Sequence, residues 1–184
     1  MTMLSDADIV LCLGRRSACG KFGGSLRDVS LTDLSARTAR AAVAGAGLRL
    51  PDIDHFIFAT TIPTDRDSLF AHRAIYVATG FPMETSALGV VRACGSGLQA
   101  IVSAAHQVMD GSSRVALAGG AEIFSRVPYV VTTARWGIKR GTQQLARRSV
   151  HVVARGDRLA ALYGAGKFIA MPRVRAGYRG RQQQ

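Results

Sequence analysis

The sequence predicts an α/β fold, and three observations carry that expectation. Short apolar runs alternate with longer stretches whose apolar residues recur every three or four positions, so strand-like and helical periods take turns along the chain. The runs Ile9–Leu13, His55–Thr60, Ser86–Ala93 and Arg114–Ala118 have strand rather than helix length. Glycine-bearing stops, such as Gly45-Ala46-Gly47 and Asp110-Gly111, follow the helical stretches. The order is βαβαβαβ, a sheet with flanking helices.

Taken in order, Ile9–Leu13 reads as a buried strand with Cys12 in the core. Gly14–Ser25 is a loop rich in glycine and cations (Arg15, Arg16, Lys21). A phosphate cradle is one reading, but the loop lacks the spacing of a nucleotide-binding fingerprint. Ser30-Leu31-Thr32-Asp33 is a capping box that opens an alanine-rich helix running to about Ala44. Pro51–Asp54 turns the chain into the strand His55–Thr60, and Ile62–Asp67 is loop. Ser68 is placed to cap a helix from Leu69 to about Ala78, which Thr79-Gly80 and Pro82 end. His55, at a strand edge, is assigned to structure rather than chemistry.

The strand Ser86–Ala93 runs into Cys94-Gly95-Ser96-Gly97. After it, Leu98, Ile101, Val102, Ala105, Val108 and Met109 mark one face of an amphipathic helix. Cys94 therefore sits where a strand turns into a helix. The first N–H groups of a helix have no internal partner and carry partial positive charge, so a thiolate is stabilised there and an oxyanion can be as well. Gly95 and Gly97 leave room for a carbonyl to approach the sulfur. On the residues alone two readings stand: a nucleophilic cysteine of an acyl-transfer enzyme, or a buried structural cysteine, since free cysteine is among the most buried residue types. His106 falls three turns further along the same helix, about 18 Å away, and is not its base.

The 184 residues carry a formal charge of +12, unevenly spread. Residues 1–134 hold 12 basic and 11 acidic side chains, whereas residues 135–184 hold 12 basic side chains and the single acid Asp157. A basic tail invites a nucleic-acid reading, but only Tyr163, Phe168 and Tyr178 stand in it after Ile138, not the interleaved aromatics that stack on bases. Gly164-Ala165-Gly166-Lys167 lacks the spacing and the following Ser/Thr of a phosphate loop. Cys12, Cys19 and Cys94 form neither a paired framework nor a metal spacing, which points to a reducing, cytoplasmic setting. No apolar run reaches membrane-spanning length, and the first residues have no signal-peptide pattern.

Three stretches resemble the thiolases, acyltransferases that make or cleave 3-ketoacyl-CoA. Cys94-Gly95-Ser96-Gly97-Leu98-Gln99-Ala100 is similar to the family's nucleophile motif. Gly20-Lys21-Phe22-Gly23-Gly24-Ser25-Leu26 resembles its GKFGGSL segment, and Gly119-Gly120-Ala121-Glu122-Ile123-Phe124-Ser125-Arg126-Val127-Pro128-Tyr129 its GG-x-E-x-x-S-x-x-PY segment, continued by Ala134–Gly137. The likeness covers residues 8–140. It implies an incomplete, thiolase-like N-terminal half: an α/β domain over residues 1–120, the start of a loop region over 121–140, and an irregular basic tail over 141–184. It implies Cys94 as the acyl-accepting nucleophile, Gly95, Ser96 and Gly97 as oxyanion and backbone support, and Glu122, Ser125 and Tyr129 as structural supports. Acyl-CoA and CoA are the implied partners and a CoA thioester the substrate, with no bound cofactor or metal. A homo-oligomer is implied, formed over the sheet edge.

The same resemblance marks what departs from the pattern. The family's GHP-like histidine and C-x-G cysteine, which supply base and acid, are absent; His151 stands in His151-Val152-Val153 and no cysteine follows Cys94. Val91 stands where the family places asparagine, and Ala121 where it often has methionine. Likeness and charge balance fail together near residue 140, so a reading frame shifted or cut short there is expected, with a solvated tail. The rivals are a catalytically incomplete fragment, another condensing enzyme of the same broad fold, and, disfavoured, a basic nucleic-acid-binding protein.

Overall fold

The computed structural model describes residues 9–12, 14–62, 64, 70–131, 134–137, 146–147 and 167–172. Its strands are β1 (Arg15–Arg16), β2 (His55–Ala59), β3 (Ser86–Val90), β4 (Val115–Gly120), β5 (Tyr129–Val130), β6 (Ala146–Arg147) and β7 (Lys167–Pro172). The helices are α1 (Leu31–Gly45), α2 (Ala71–Thr79) and α3 (Ser96–Met109). The main sheet runs β1-β7-β4-β2-β3, and β5 pairs with β6 apart from it. β2 is parallel to β3 and β4, while β7 runs antiparallel to β4 and β1.

The parallel strands end level. Ala59 lies opposite both Val90 and Gly120, so the loops that follow all three strands leave from one edge. At the other end Asp54 pins the strand starts together. Its carboxylate accepts from the N–H groups of Arg114 and Val115 at 2.7 and 3.1 Å and meets the Arg114 guanidinium at 3.1 Å. Burial pushes the Asp54 carboxyl up, but the Arg114 side chain and the two N–H donors outweigh it and hold it below the ordinary range.

The period-two pattern of a strand divides the core in two. Phe56, Phe58 and Leu117 point to one face and pack with Leu31, Ala39, Ala42 and Val43 of α1 and Ile75 of α2. Ile57, Ala59, Ala116 and Ala118 point to the other and meet Ala100, Ala104 and Val108 of α3. Helices thus cover both faces of the sheet. Phe56 stacks near Phe58 and Phe81, with ring centroids 6.1 and 5.2 Å away; each such buried ring contributes about 2–3 kcal/mol.

The Ser30 half of the expected capping box is present at the start of α1: the Ser30 hydroxyl accepts from the Asp33 N–H at 2.9 Å. α2 ends on Gly80 in the left-handed region, and its described part begins at Ala71; the Ser68 cap and Leu69 lie outside the described residues. Two expectations are corrected. Of the expected strand Ile9–Leu13, Ile9 makes an isolated bridge, Val10 to Cys12 have no strand, and Leu13 lies outside the described residues; Ile9 and Cys12 pack against the core, and β7 lies beside β4. β3 stops at Val90 rather than Ala93, because the chain turns there, with the Gly95 N–H donating to the Arg92 carbonyl at 3.0 Å. Within the basic tail β6 and β7 are regular strands. No helix among the described residues is long and apolar enough to cross a membrane.

α3 turns a different face to the sheet from the one its larger side chains mark. Ser96, Ala100, Ala104 and Val108 are buried, while Leu98, Val102 and Met109 are 68, 38 and 63% exposed. The sheet face it meets is lined with Ala59, Ala116 and Ala118, and small residues on both sides let helix and sheet pack closely.

Candidate functional site

The loops that leave the level strand ends bring together three separate stretches: Thr60–Ile62 after β2, Val91–Gly95 after β3, and Ala121–Glu122 after β4. The ends of β2 and β4 approach closely, since a Cβ on Gly120 would stand 2.7 Å from the Ala59 carbonyl oxygen. Carboxyl ends of parallel strands are where α/β sheets place their ligands.

Cys94 lies on this edge and is exposed. It follows Ala93, the one non-glycine residue with positive φ among the described residues, at 47°. The left-handed region costs an alanine about 1–2 kcal/mol, so the surroundings must impose it. Gly95 caps α3. The Gly97 and Leu98 N–H groups of the first helical turn find no acceptor among the described residues, as is usual for the opening donors of a helix. A Cβ on Gly97 would meet nothing within 4 Å. Gly95 and Gly97 are exposed, whereas Ser96 is 4% exposed.

The Ser96 hydroxyl turns inward and staples the turn. It accepts the Arg92 N–H at 2.6 Å and donates to the Ala93 carbonyl at 2.7 Å. The Arg92 guanidinium reaches forward to the Gln99 side-chain carbonyl. Thr61 closes on the same turn from the neighbouring loop, its Oγ1 3.1 Å from the Ala93 carbonyl and 3.3 Å from Ser96 Oγ.

Glu122 binds that neighbouring loop. Its carboxylate accepts the Thr61 N–H, the Ile62 N–H at 3.3 Å and the Thr60 hydroxyl at 3.3 Å. Burial raises the Glu122 carboxyl above its ordinary value, against the pull of the Thr61 and Ile62 N–H groups. Ser125 takes the Gly23 N–H at 2.9 Å, which joins the glycine-rich N-terminal loop to the segment after β4. Glu122 and Ser125 are thus structural supports, while the Tyr129 ring is 62% exposed.

The histidines do not converge on the sulfur. His55 opens β2 at the opposite end of the sheet; its Nε2 is buried without a partner among the described residues, and burial lowers its pKa. His72 packs on β3: a Cβ on Gly89 would stand 2.5 Å from its Nδ1, and burial lowers its pKa too. His106 is exposed on α3, and His151 lies outside the described residues. Among the described residues no group of three or more His, Cys, Asp or Glu is placed to hold a metal. Thr61 is the site residue that reading along the chain missed; its only sequence signal is a polar pair, Thr60-Thr61, directly after an apolar strand.

A three-layer α/β protein that offers an exposed cysteine at a strand-to-helix turn is the class this fold and site define. The family model described as "Thiolase, N-terminal domain" matches residues 9–158. Beta-ketothiolase BktB of Cupriavidus necator is 43% identical over 134 residues, covering 73% of this chain and 34% of that protein. The human mitochondrial 3-ketoacyl-CoA thiolase is 33% identical over 134 residues, with the same coverage of 73 and 34%. Among solved structures, that human enzyme in complex with CoA superposes with a TM-score of 0.72 at 30% identity, over 83% of this chain and 39% of that one. The Bacillus anthracis acetyl-CoA acetyltransferase superposes at 0.69 and 32% identity, over 76 and 35% of the two chains. The chain belongs to the thiolase family. It spans about a third of the length of the curated relatives it matches.

Proposed function

We propose that this chain is the acyl-accepting half of a thiolase-type acyltransferase that acts on CoA thioesters, with Cys94 as the nucleophile. The observation that supports this reading is the exposed Cys94 in a family-like motif, at a turn that leaves the first N–H groups of α3 open. The Cys94 sulfur, once deprotonated, attacks the thioester carbonyl. The new C–S bond forms as the carbonyl electrons move to oxygen, and the N–H groups at the mouth of α3 offset that charge. The oxyanion collapses, the C–S bond to CoA breaks, and CoA leaves as its thiolate. A second thioester, or CoA itself, then takes the acyl group. No bound cofactor enters these steps, and the thioester is substrate.

The proton transfers need a base and an acid. The GHP-like and C-x-G motifs that supply them in the resemblance are absent from the 184 residues. The proposal is therefore a chain that accepts an acyl group but does not turn over alone. Mass spectrometry after incubation with acetyl-CoA at alkaline pH, where thiolate forms without a base, tests it. One acetyl group on the Cys94 peptide, lost in Cys94→Ser, is expected, together with no steady-state thiolysis of acetoacetyl-CoA. Acetylation that persists in Cys94→Ser, or none on Cys94, overturns the assignment.

We also infer that β3 pairs with β3 of a second copy. The two edges of the sheet differ. β1 is Arg15-Arg16, a charged edge that resists pairing, whereas β3 is Ser86-Ala87-Leu88-Gly89-Val90, with no charge or proline and largely exposed.

A further inference from the structure

We propose that Thr61 is a positioning residue for Cys94: its hydroxyl holds the left-handed turn at Ala93 that sets the direction in which the cysteine leaves the sheet. The inference rests on the reading of Cys94 as the acyl acceptor.

The hydrogen-bond accounting carries it. The Ala93 carbonyl receives the Ser96 N–H at 3.1 Å, the Ser96 hydroxyl at 2.7 Å and the Thr61 hydroxyl at 3.1 Å. Both Ser96 bonds are local and move with the turn. Thr61 comes from the loop after β2, 32 residues away in sequence, and among the described residues its hydroxyl is what hydrogen-bonds the Ala93 carbonyl from the neighbouring loop. Thr61 is itself held from behind, because its N–H donates to the Glu122 carboxylate. Glu122 thus acts on the loop, the loop on Ala93, and Ala93 on the residue that follows it. A hydroxyl has one proton to give, and Ser96 spends its own on Ala93 while accepting from Arg92. Of the two acceptors within its reach, the Ala93 carbonyl at 3.1 Å lies nearer to Thr61 Oγ1 than Ser96 Oγ at 3.3 Å, and the Thr61 proton is assigned to the carbonyl. An alanine at φ 47° has lower-energy alternatives. Rotation of its peptide toward them would change the direction of the Cys94 Cα–Cβ bond, which follows directly in the chain.

Iodoacetamide alkylation tests this, with peptide mass spectrometry reading Cys94 and Cys19 in one sample. Cys19 is exposed and serves as the internal clock, and half-buried Cys12 reports unfolding. Thr61→Val keeps the shape and the N–H to Glu122 but removes the hydroxyl. It should lower the Cys94:Cys19 rate ratio by roughly fivefold, about the effect of one ordinary hydrogen bond. Thr61→Ser should restore the ratio to within about twofold. Ala93→Gly in the Thr61→Val background should restore it as well, because glycine occupies the left-handed region without a brace. An unchanged ratio in Thr61→Val, or a loss that neither Thr61→Ser nor Ala93→Gly repairs, overturns the proposal. If Thr61→Val makes Cys12 react like Cys19, Thr61→Ala at this exposed position decides by the same ratio. Alkylation needs no thioester. A chain that never acetylates Cys94 thus refutes the proposed function, while the ratio still judges Thr61.

Discussion

Gly23 and Ser125 are hydrogen-bonded at 2.9 Å across 102 residues of sequence. This hydrogen bond joins the glycine-rich N-terminal loop to the segment after β4. Ser125→Ala should cost about 0.5–1 kcal/mol, the low end for a bond open to water. Hydrogen exchange should quicken across residues 20–28 and leave α1 unchanged. Uniform exchange in both would show that the bond does not hold the loop.

Asp54 is held below the ordinary carboxylate range by Arg114 and two N–H donors, against the opposing effect of burial. Its contribution is therefore whole above the unfolded value near 4 and drains away as pH falls through the lower folded value. Asp54→Asn should lower stability by about 1 kcal/mol at neutral pH, screened as the site is partly open. Below the lowered folded value the variant and the parent chain should converge. Urea melts along a pH series would show a constant gap instead if the ionised form were unimportant.

Gly120→Ala should destabilise the chain by about 2 kcal/mol, as overpacking does. The added methyl meets the Ala59 carbonyl oxygen at 2.7 Å, and backbone on both sides leaves little room to yield. Thermal melting reads the effect, and an unchanged midpoint would show that the strand ends spread freely.

Leu88→Lys places a charge in the middle of the bare edge strand. If β3 pairs with a second copy, the parent chain should run as a dimer in size-exclusion chromatography with light scattering, and the variant as a monomer. Equal masses for both would remove β3 from the interface.

Much of the scaffold was legible along the chain because its signals are local. The Ser30 cap, the alternation of Phe56, Ile57 and Phe58, and the stop at Gly80 act within a few residues. Cys94 stood out for the same reason: strand, cysteine, glycines and helix follow one another directly. What stayed hidden depends on distant partners. Nothing near Thr61 announces Ala93, and nothing near Glu122 announces Thr61, because loops join them only after the sheet has formed. The buried face of α3 was misjudged because periodicity weighs large apolar residues, whereas the sheet opposite offers alanines and takes alanines in return. The strand expected at Ile9–Leu13 failed because an apolar run does not say which neighbour claims a place in the sheet. β7 joins the sheet beside β4 from a tail whose charge gave no sign of a strand.

α3 has a further consequence. It spends its smallest side chains on its own sheet and leaves a leucine, a valine and a methionine facing outward, the profile of a middle layer. An oily flank of that kind left in water is a liability: above a modest concentration the chain should clump, bind the dye ANS, and be rescued from precipitation by whatever polypeptide can lie along that flank. How well it behaves in a tube then depends on the company it keeps.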